Sequence, residues 1–327
     1  LIAGETIAID GTKSRAHNSK KANFNQKKID RHLAYIEEKS QEYLAELEQN
    51  DTQENSTTIT KIQAKIERLK KNKISYEILQ EKLKVSGEPQ ISTTDEDARA
   101  LLVQGVVVEV SYNIQAAVDN KHNLVVATHT INRNDLNALG AIALEAKENL
   151  QVDTLTVLVD KGYHNGREIA QCKDHNITTI VAHPTPGRSK ESVTQPEYLV
   201  AQFQYNKSED TYTCPQGEIL KTTGRWHKKS GRTEQSGYQF KKYRTPACKD
   251  CPVKHLCTAR PAGREIDRSE YADAVEENNK RYQENPQLYR TRQEINEHIF
   301  GTIKRQWGYN HTNLTGLEKV NGVSMRK

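Results

Sequence analysis

One segment of the sequence, TLTVLVD at residues 154–160, limits the possible folds more than any other. Such a nearly continuous apolar run is typical of a strand covered on both faces, as the strands of parallel sheets are. A turn (KGYHNG), a helix from about Arg167 and a second apolar strand (ITTIVAH) are predicted to follow it. Together these elements predict a β-α-β unit whose first strand ends on the carboxylate of Asp160.

A second carboxylate lies near the start of the chain. ETIAIDG, residues 5–11, has the alternation of a short strand, and Asp10 is expected near its end. In open α/β sheets the functional groups lie at the carboxyl ends of strands. Asp10 and Asp160 are therefore candidates for one functional site.

Further strands and helices are predicted between these two strands. Residues 106–118 and 124–131 have strand patterns and are joined by a turn, DNKHN. Asn134 or Asp135 is expected to cap a helix that ends near Leu150. The order of elements predicts a mixed sheet flanked by helices, which is an α/β fold.

Two polar stretches within about residues 20–90 carry apolar residues at gaps of three and four, so each predicted helix has one apolar stripe. The polar loop at residues 50–58 favours an antiparallel helical hairpin whose role is packing or partner contact. Farther along, Asp95 and Asp97 precede ARALLV, where we expect them to cap another helix.

A late helix is predicted after Pro286, because proline suits the first turn of a helix. Arg290, Glu297 and Lys304 recur every seven residues and so share one face of this helix. This arrangement suits a site in which Glu297 binds a metal ion and the two cations hold nearby phosphates. Charge pairing within the helix is the alternative interpretation.

A loop-rich basic segment, residues 221–264, precedes the late helix. It holds twelve Lys or Arg residues against two acids, Glu234 and Asp250, and aromatic residues are interleaved with the cations. Cations neutralise phosphates and rings stack on bases, so the pattern indicates nucleic-acid binding; a solvated basic face is the alternative. The candidate contacts are Trp226, Lys241, Lys242 and Arg244, together with the turn residues Lys161 and Tyr163.

Four of the five cysteines are close in sequence, in TYTCPQGE and ACKDCPVKHLC. Four soft thiolates at this spacing are compatible with a tetrahedral structural zinc site, and reduced free thiols are the alternative. His255 could replace one cysteine, and Cys172 is expected to pack in the core. The candidate zinc ligands are Cys214, Cys248, Cys251 and Cys257.

Neither membrane insertion nor secretion is indicated by the sequence. It contains no apolar run of the roughly 18 residues that a membrane span needs, and no secretion signal opens it. We therefore expect a cytoplasmic protein with no membrane partner. Because the chain begins with Leu1 rather than methionine, we expect it to be a piece of a longer protein.

Three segments resemble, in order, the signature blocks of DDE-class insertion-sequence transposases with an RNase H-like fold: AIDGTKSRA, VLVDKGYHNG and NEHIFGTIKR. TDEDAR and YNIQAAVD resemble the same group, specifically the branch called insertion-sequence family eleven-eighty-two, which has a cysteine-bearing insert. The resemblance covers nearly the whole chain. It matches Asp10, Asp160 and Glu297 to the three family carboxylates, with Glu294 as the fallback for the third.

The same resemblance extends along the late helix. The family helix carries a Tyr, Arg, Glu, Lys series, which Tyr289, Arg292, Glu297 and Lys304 approximate. The gap between arginine and glutamate is one residue longer here than in the family pattern. Arg290 and Arg292 are therefore both candidates for the arginine, and with Lys304 they are candidate DNA contacts.

The resemblance implies a DNA transposase that cleaves strands at the ends of an insertion sequence and transfers them to target DNA. It implies Mg²⁺ or Mn²⁺ at the three carboxylates, a two-metal mechanism, and a homo-oligomer on paired DNA ends. An RNase H-like nuclease without strand transfer and a non-catalytic, zinc-stabilised DNA-binding remnant are the alternatives. The implied domains are a core at 1–185 with the helical hairpin, a basic, zinc-ribbon-like insertion at 186–284, and the catalytic helix with the start of a C-terminal region at 285–327.

Overall fold

The fold is mixed α/β and divides into two compact units. The first unit is Leu1–Leu155 with Arg290–Lys327, and the second unit is Thr156–Tyr289. The computed structural model describes residues 5–17, 20–50, 56–103, 107–184, 194–229 and 237–324.

The elements follow one another along the chain in this order. The first unit has strands β1 (Thr6–Arg15), β2 (Asn23–Phe24), β3 (Ile91–Ser92), β4 (Arg99–Val103), β5 (Val107–Asp119) and β6 (Val125–Ile131), and helices α1 (Gln26–Asn50), α2 (Ser56–Ser86) and α3 (Leu139–Leu150). Strand β7 (Leu155–Val159) begins at the last residue of the first range, Leu155, and its other residues belong to the second unit. The second unit also has strands β8 (Ile177–Val181), β9 (Gln204–Asn206), β10 (Thr211–Thr213), β11 (Ile219–Lys229), β12 (Tyr238–Arg244) and β13 (Ile266–Ser269), and helices α4 (Gly166–Asp174), α5 (Lys254–Cys257) and α6 (Ala272–Glu284). Helix α7 (Pro286–Gly301) starts at Pro286 as predicted, a π-helical turn (Thr302–Gln306) extends it, and α8 (Leu317–Ser324) follows.

Strand β5 organises the sheet of the first unit. β1 pairs antiparallel along one of its edges, from Ile7 opposite Asp119 to Arg15 opposite Ser111. β4 and β6 pair antiparallel with the two halves of its other edge. The strands predicted at 106–118 and 124–131 are therefore confirmed as β5 and β6.

Strand β1 is longer than the sequence pattern predicts, which changes the position of Asp10. The expected strand ended near Gly11, but pairing with β5 continues to Arg15, so Asp10 lies in the middle of β1 opposite Ala116. The residues after Asp10 are polar and carry no strand pattern in the sequence, but the partner strand is long enough to pair with all of them. The expectation of Asp10 at a strand end is wrong for this reason.

The predicted helix cap at Asp95 and Asp97 is also wrong. The following residues, Arg99–Val103, form strand β4 because they pair with β5. The two carboxylates instead accept backbone hydrogen bonds at the start of α8, Asp95 from Gly316 at 3.2 Å and Asp97 from Leu317 at 2.8 Å. They cap a helix, but a helix from the other end of the chain.

The helical hairpin is confirmed as antiparallel. Asp30 accepts a hydrogen bond from Gln80 at 3.3 Å, and farther along the pair Glu37 meets Lys73 at 3.3 Å. Residues later in α1 thus face residues earlier in α2, as an antiparallel pair requires. The stripe residues that are buried are Ile29, Ile36, Ile62, Ile66 and Leu83.

The helix predicted before Leu150 begins differently from the expectation. α3 starts at Leu139, after a 3-10 turn at Asp135–Asn137, and Asn134 makes no side-chain capping bond. The carboxylate of Asp135 accepts hydrogen bonds from Asn113 and Gln115 of β5 instead. A capping role for either residue is therefore wrong.

The second unit contains the predicted β-α-β arrangement, with β7 and β8 as neighbours in one sheet and α4 between them in the chain. Cys172 on α4 is fully buried, as expected. Helix α6 packs on β8 through buried Asn278, whose amide bonds both backbone groups of Val181.

The basic segment is more regular than the expected loop-rich insert. Strands β9 to β13 form a five-stranded antiparallel sheet in the order β13-β12-β11-β10-β9. Its buried core consists of Phe203, Tyr212, Leu220, Tyr243 and Ile266. In the part of the chain that the structure describes, no helix is both long and apolar enough to cross a membrane.

Candidate active site

Two of the three predicted carboxylates line one cavity in the first unit. Asp10 reaches it from the middle of β1, and Glu297 reaches it from the last turns of α7. The cavity has a volume of about 650 Å³, and Lys13, Lys304 and Arg305 also line it. Asp10 is half-buried and Glu297 is exposed. Glu294 does not line this cavity, so the geometry favours Glu297 over the fallback.

The carboxylate of Asp10 is held from two directions. The backbone N–H of Gly11 donates to Oδ1 at 2.8 Å, and Nη1 of Arg292 donates to Oδ2 at 3.2 Å. Arg292 is 8% exposed, whereas Arg290 is exposed to solvent. Of the two candidate arginines, Arg292 is therefore the one that contacts Asp10.

Next to Asp10 along β1 lies a buried polar cluster that the local sequence pattern does not reveal. Asn113 and Gln115 donate to Asp135 Oδ1 at 2.7 and 2.9 Å, and Lys13 Nζ lies 3.2 Å from Asp135 Oδ2. Burial raises the pKa of Asp135, but the Asn113 hydrogen bond, the charge of Lys13 and the Gln115 hydrogen bond together lower it below its ordinary value. Asp135 is therefore a charged partner that fixes Lys13.

Gly11 makes the close packing of this cluster possible. A Cβ atom at Gly11 would lie 2.3 Å from Gln115 Nε2 and 2.6 Å from Asp135 Oδ1. Only a residue without a side chain fits at position 11, so close to Gln115 and Asp135. The glycine of AIDGT thus has a steric function that could have been inferred from its position beside the carboxylate.

Lys304 is a second cation held at the cavity. Its Nζ donates to the backbone carbonyl of Lys13 at 2.8 Å. Burial, followed by the charge of Lys13, lowers the pKa of Lys304, and Glu109 opposes the shift. Two lysines near one another form a site where an anion would be favoured.

Asp160 directly follows β7, as predicted, and lies in the second unit. It begins a short 3-10 turn, where its carboxylate accepts the backbone N–H of Gly162. Lys161 in this turn is exposed, but Tyr163 is fully buried. Because the ring of Tyr163 packs in the core, Tyr163 has no exposed surface with which to make the predicted DNA contact.

No metal cluster is found within the described residues: no three His, Cys, Asp or Glu side chains there are placed to hold an ion. Carboxylate oxygens are the ligands that Mg²⁺ and Mn²⁺ prefer. Asp10 and Glu297 thus suit these ions by donor chemistry and by a shared cavity. The convergence of a third ligand remains a prediction.

Three of the basic residues predicted to contact DNA, all in the second unit, are paired with acids. Lys241 lies 2.7 Å from Asp210, while Lys242, at 2.9 Å, and Arg244 both contact Glu265. These acids lie outside residues 221–264, which is why the local sequence count of charges overstated the basicity of this surface. Trp226 is 46% exposed, and its ring lies 5.2 Å from Lys241 Nζ.

The four clustered cysteines are free thiols and half-buried. Burial is the main cause that raises the pKa of Cys257, and the charges of Cys248, Cys214 and Cys251 contribute to the rise. Gly263 packs tightly against the side chain of Cys248, and Cys214 Sγ accepts the Gln216 N–H at 3.4 Å. No group of three or more metal-binding side chains is found among the described residues, so the zinc-ribbon-like site remains a prediction.

A sequence model of the transposase DDE domain matches residues 213–325. The matched range contains the clustered cysteines and Glu297, but neither Asp10 nor Asp160. No curated protein and no solved structure matches the chain. The domain match supports a DDE-class transposase, a class of enzymes that binds DNA and generally uses divalent metal ions.

Proposed function

We propose that this chain is a DNA transposase that cleaves DNA strands at the ends of an insertion sequence and joins them to target DNA. The observation that carries the proposal is the shared cavity of Asp10 and Glu297, which lie at opposite ends of the chain. The domain match over residues 213–325 supports the class of enzyme independently of this geometry.

The charges at the cavity suit a reaction on a phosphodiester. Asp10 and Glu297 would hold divalent cations, with Asp160 as the third ligand predicted from the sequence. Two bound cations would activate a water or a 3′ hydroxyl and stabilise the leaving oxygen in an in-line displacement. Lys13 and Lys304 would neutralise the phosphates on either side of the scissile bond.

The ion pair between Arg292 and Asp10 fits this role as a positioning contact. It holds one carboxylate oxygen in a fixed direction. The Gly11 N–H fixes the other oxygen, so contacts within the protein orient both oxygens of Asp10. A preoriented carboxylate lowers the cost of assembling the reactive complex.

Strand transfer distinguishes a transposase from a nuclease of the same class. The test incubates the protein with Mg²⁺, DNA carrying the element's own ends and a supercoiled target plasmid. The proposal predicts joined products that depend on a free 3′ hydroxyl at the element end. Cleaved ends without joined product indicate the nuclease, and nicking that is indifferent to metal removes the catalytic interpretation.

Homo-oligomerisation on paired ends and the zinc site belong to the same proposal. DNA with two ends on one molecule should react faster than DNA with a single end if two copies assemble on paired ends. The zinc content of the purified protein tests the zinc site directly, because four thiolates would bind one Zn²⁺ per chain.

A further inference from the structure

Seven cations lie within residues 13–31, and the structure separates them into two groups. Three of them are held by the protein itself. Lys13 lies 3.2 Å from Asp135, and Arg15 donates to Glu109 at 2.9 Å. Nζ of Lys28 donates to three backbone carbonyls of the preceding 3-10 turn and β2, at 3.3, 2.8 and 2.8 Å. The other four cations are exposed: Lys20, Lys21, Lys27 and Arg31.

These four exposed cations, which we call the hairpin-base patch, lie where the helical hairpin joins the sheet. They belong to the 3-10 turn that precedes β2 and to the first turns of α1. None of the four forms an ion pair with a residue that the structure describes. Asp30, the one acid within residues 13–31, accepts hydrogen bonds from Gln26 and Gln80 instead. The positive charge of the patch is therefore not compensated by neighbouring acids.

This lack of acidic partners distinguishes the hairpin-base patch from the basic segment at residues 221–264. In that segment Lys241, Lys242 and Arg244 all contact carboxylates. A cation that already has a carboxylate partner gains less from a phosphate, because the existing pair must be broken or shared. An exposed, unpaired cation gains the full effect of releasing the counterions of the phosphate that it neutralises. The hairpin-base patch is thus the better suited of the two basic regions to bind a polyanion.

Glu109 relates the hairpin-base patch to the carboxylate cavity within the first unit. The hydrogen bond from Arg15 is the main cause that lowers the pKa of Glu109; burial opposes it, and the charges of Arg15, Lys20 and Lys304 add to the lowering. Such charge effects reach only about 10 Å, so Lys20 and Lys304 both lie near this carboxylate. Lys304 also lines the carboxylate cavity. A row of cations therefore runs from the cavity past Arg15 to Lys20.

We propose that the hairpin-base patch binds the phosphate backbone of the duplex DNA that extends from the carboxylate cavity, and this inference rests on the proposed function. Duplex DNA fits a row of separate cations, because a negative charge recurs about every 3.4 Å along each strand. Contacts to phosphates carry no sequence information, but they fix the register and orientation of the protein on the duplex. The patch would therefore position the strand at the cavity without selecting its sequence.

The dependence of DNA affinity on salt concentration tests this inference. Each phosphate contact contributes about 0.9 to the slope of the logarithm of the binding constant against the logarithm of salt concentration. For the Lys20→Gln/Lys21→Gln protein we expect a slope shallower by about two, and binding about tenfold to a hundredfold weaker at 0.1 M salt. Adding Lys27→Gln and Arg31→Gln should bring the total change in slope to about four. A duplex of unrelated sequence should show the same changes.

Two further variants separate the charge of the patch from other effects of substitution. Lys61→Gln/Lys65→Gln is the matched control, because it removes two exposed lysines one turn apart on α2. Lys61 lies about 28 Å along the helix from Gln80 at the hairpin base, so the slope should match the wild type. Lys20→Arg/Lys21→Arg keeps both charges and should also retain the wild-type slope.

Fluorescence anisotropy with a labelled duplex measures these slopes. A wild-type slope in the Lys20→Gln/Lys21→Gln protein overturns the inference and leaves the patch a solvated basic face. If the same substitutions abolish binding to anionic lipid vesicles but leave DNA binding intact, the patch belongs to a membrane surface and the inference is again wrong.

The inference and the proposed function fail separately. Glu297→Gln should lose cleavage while it retains the wild-type salt slope, because its side chain is not part of the patch. A protein whose slope depends on Lys20 and Lys21 but that cleaves no DNA supports the patch and contradicts the transposase. Metal-dependent cleavage with a slope that is indifferent to both lysines supports the transposase and contradicts the patch.

Discussion

Arg292 Nη1 donates a hydrogen bond to Asp10 Oδ2 at 3.2 Å, across 282 positions of the chain. The arginine is almost fully buried on α7, and the aspartate lies in the middle of β1. The contact ties the late helix to the first strand at the lining of the carboxylate cavity. It is a direct side-chain link between the two segments that the sequence patterns predicted to share one site.

Replacement of Arg292 tests whether this link positions Asp10. Arg292→Met should lower the maximal cleavage rate about tenfold, because Asp10 loses one of the contacts that orient it. The Mg²⁺ concentration for half-maximal cleavage should fall, because a positive charge near Asp10 is removed. Gln293→Met, at an exposed position on the same helix, should change neither quantity. Identical metal dependence in the Arg292→Met protein and the wild type would contradict the positioning role.

Gly11→Ala tests the close packing beside Asp10. The added methyl group would overlap the side chains of Gln115 and Asp135, so we expect the free energy of unfolding to fall by about 1–3 kcal/mol. Gly322→Ala on α8 is the control, because no atom lies within 4 Å of the added group. The control should be neutral or stabilising, since alanine favours helix over glycine. Equal stability of the two variants in urea titrations would show that the Gly11 cluster is not tightly packed.

Asp210 should make the second unit sensitive to acid. Burial alone would raise the pKa of its carboxyl. The hydrogen bonds from Lys241, Tyr243 and Tyr205 outweigh that effect and lower the pKa from an ordinary value of 3.8 to about 2. The folded state therefore binds the proton more weakly than the unfolded state, and the stabilisation is present above about pH 4 and lost towards pH 2. Because a third of the Asp210 side chain is exposed, we expect it to contribute at most about 1 kcal/mol to the free energy of unfolding.

Thermal unfolding between pH 2 and pH 7 measures this effect. Asp210→Asn should lower stability at pH 7 and flatten the loss of stability between about pH 4 and pH 2. Asp267→Asn, at an exposed position on β13, is the matched control and should follow the wild-type profile. A wild-type acid profile in the Asp210→Asn protein would remove Asp210 as the origin of the sensitivity.

The cysteines should separate into two classes by reactivity. Burial raises the pKa of Cys172 to about 12, so this thiol should react with a thiol reagent only after unfolding. Cys214, Cys248, Cys251 and Cys257 are half-buried and should react in the native, metal-free protein. Bound zinc should protect those four and leave Cys172 unaffected. Four thiols that react equally fast before and after zinc addition would remove the zinc prediction.

The predictions that succeeded depended on local pattern. β7, α4 and β8 follow from one continuous apolar run and its turn, and α7 begins at the proline that predicted its start. Asp160 directly after β7 follows from the same local reasoning. The helical hairpin was also predictable, because the apolar residues of each helix recur at gaps of three and four.

The predictions that failed depended on distant partners. Asp97 caps α8 through Leu317, 220 positions away, and Lys13 pairs with Asp135 at a separation of 122 positions. Local propensity predicted helix capping for both acids, because the sequence does not state which distant backbone or side chain will lie nearby. The predicted length of β1 was wrong for the same reason, because pairing with the distant strand β5 determines where β1 ends.

Metal-dependent cleavage of element-end DNA by matched carboxylate variants tests the central claim most directly. Asp10→Asn, Asp160→Asn and Glu297→Gln should each lower the rate by at least about a hundredfold, since electrostatic groups at a reacting centre contribute effects of that size. DNA binding and thermal stability should stay close to wild type, and Glu294→Gln on the same helix should cleave normally. Wild-type cleavage by any of the three, or loss of cleavage in the Glu294→Gln protein alone, would contradict the assignment of the site.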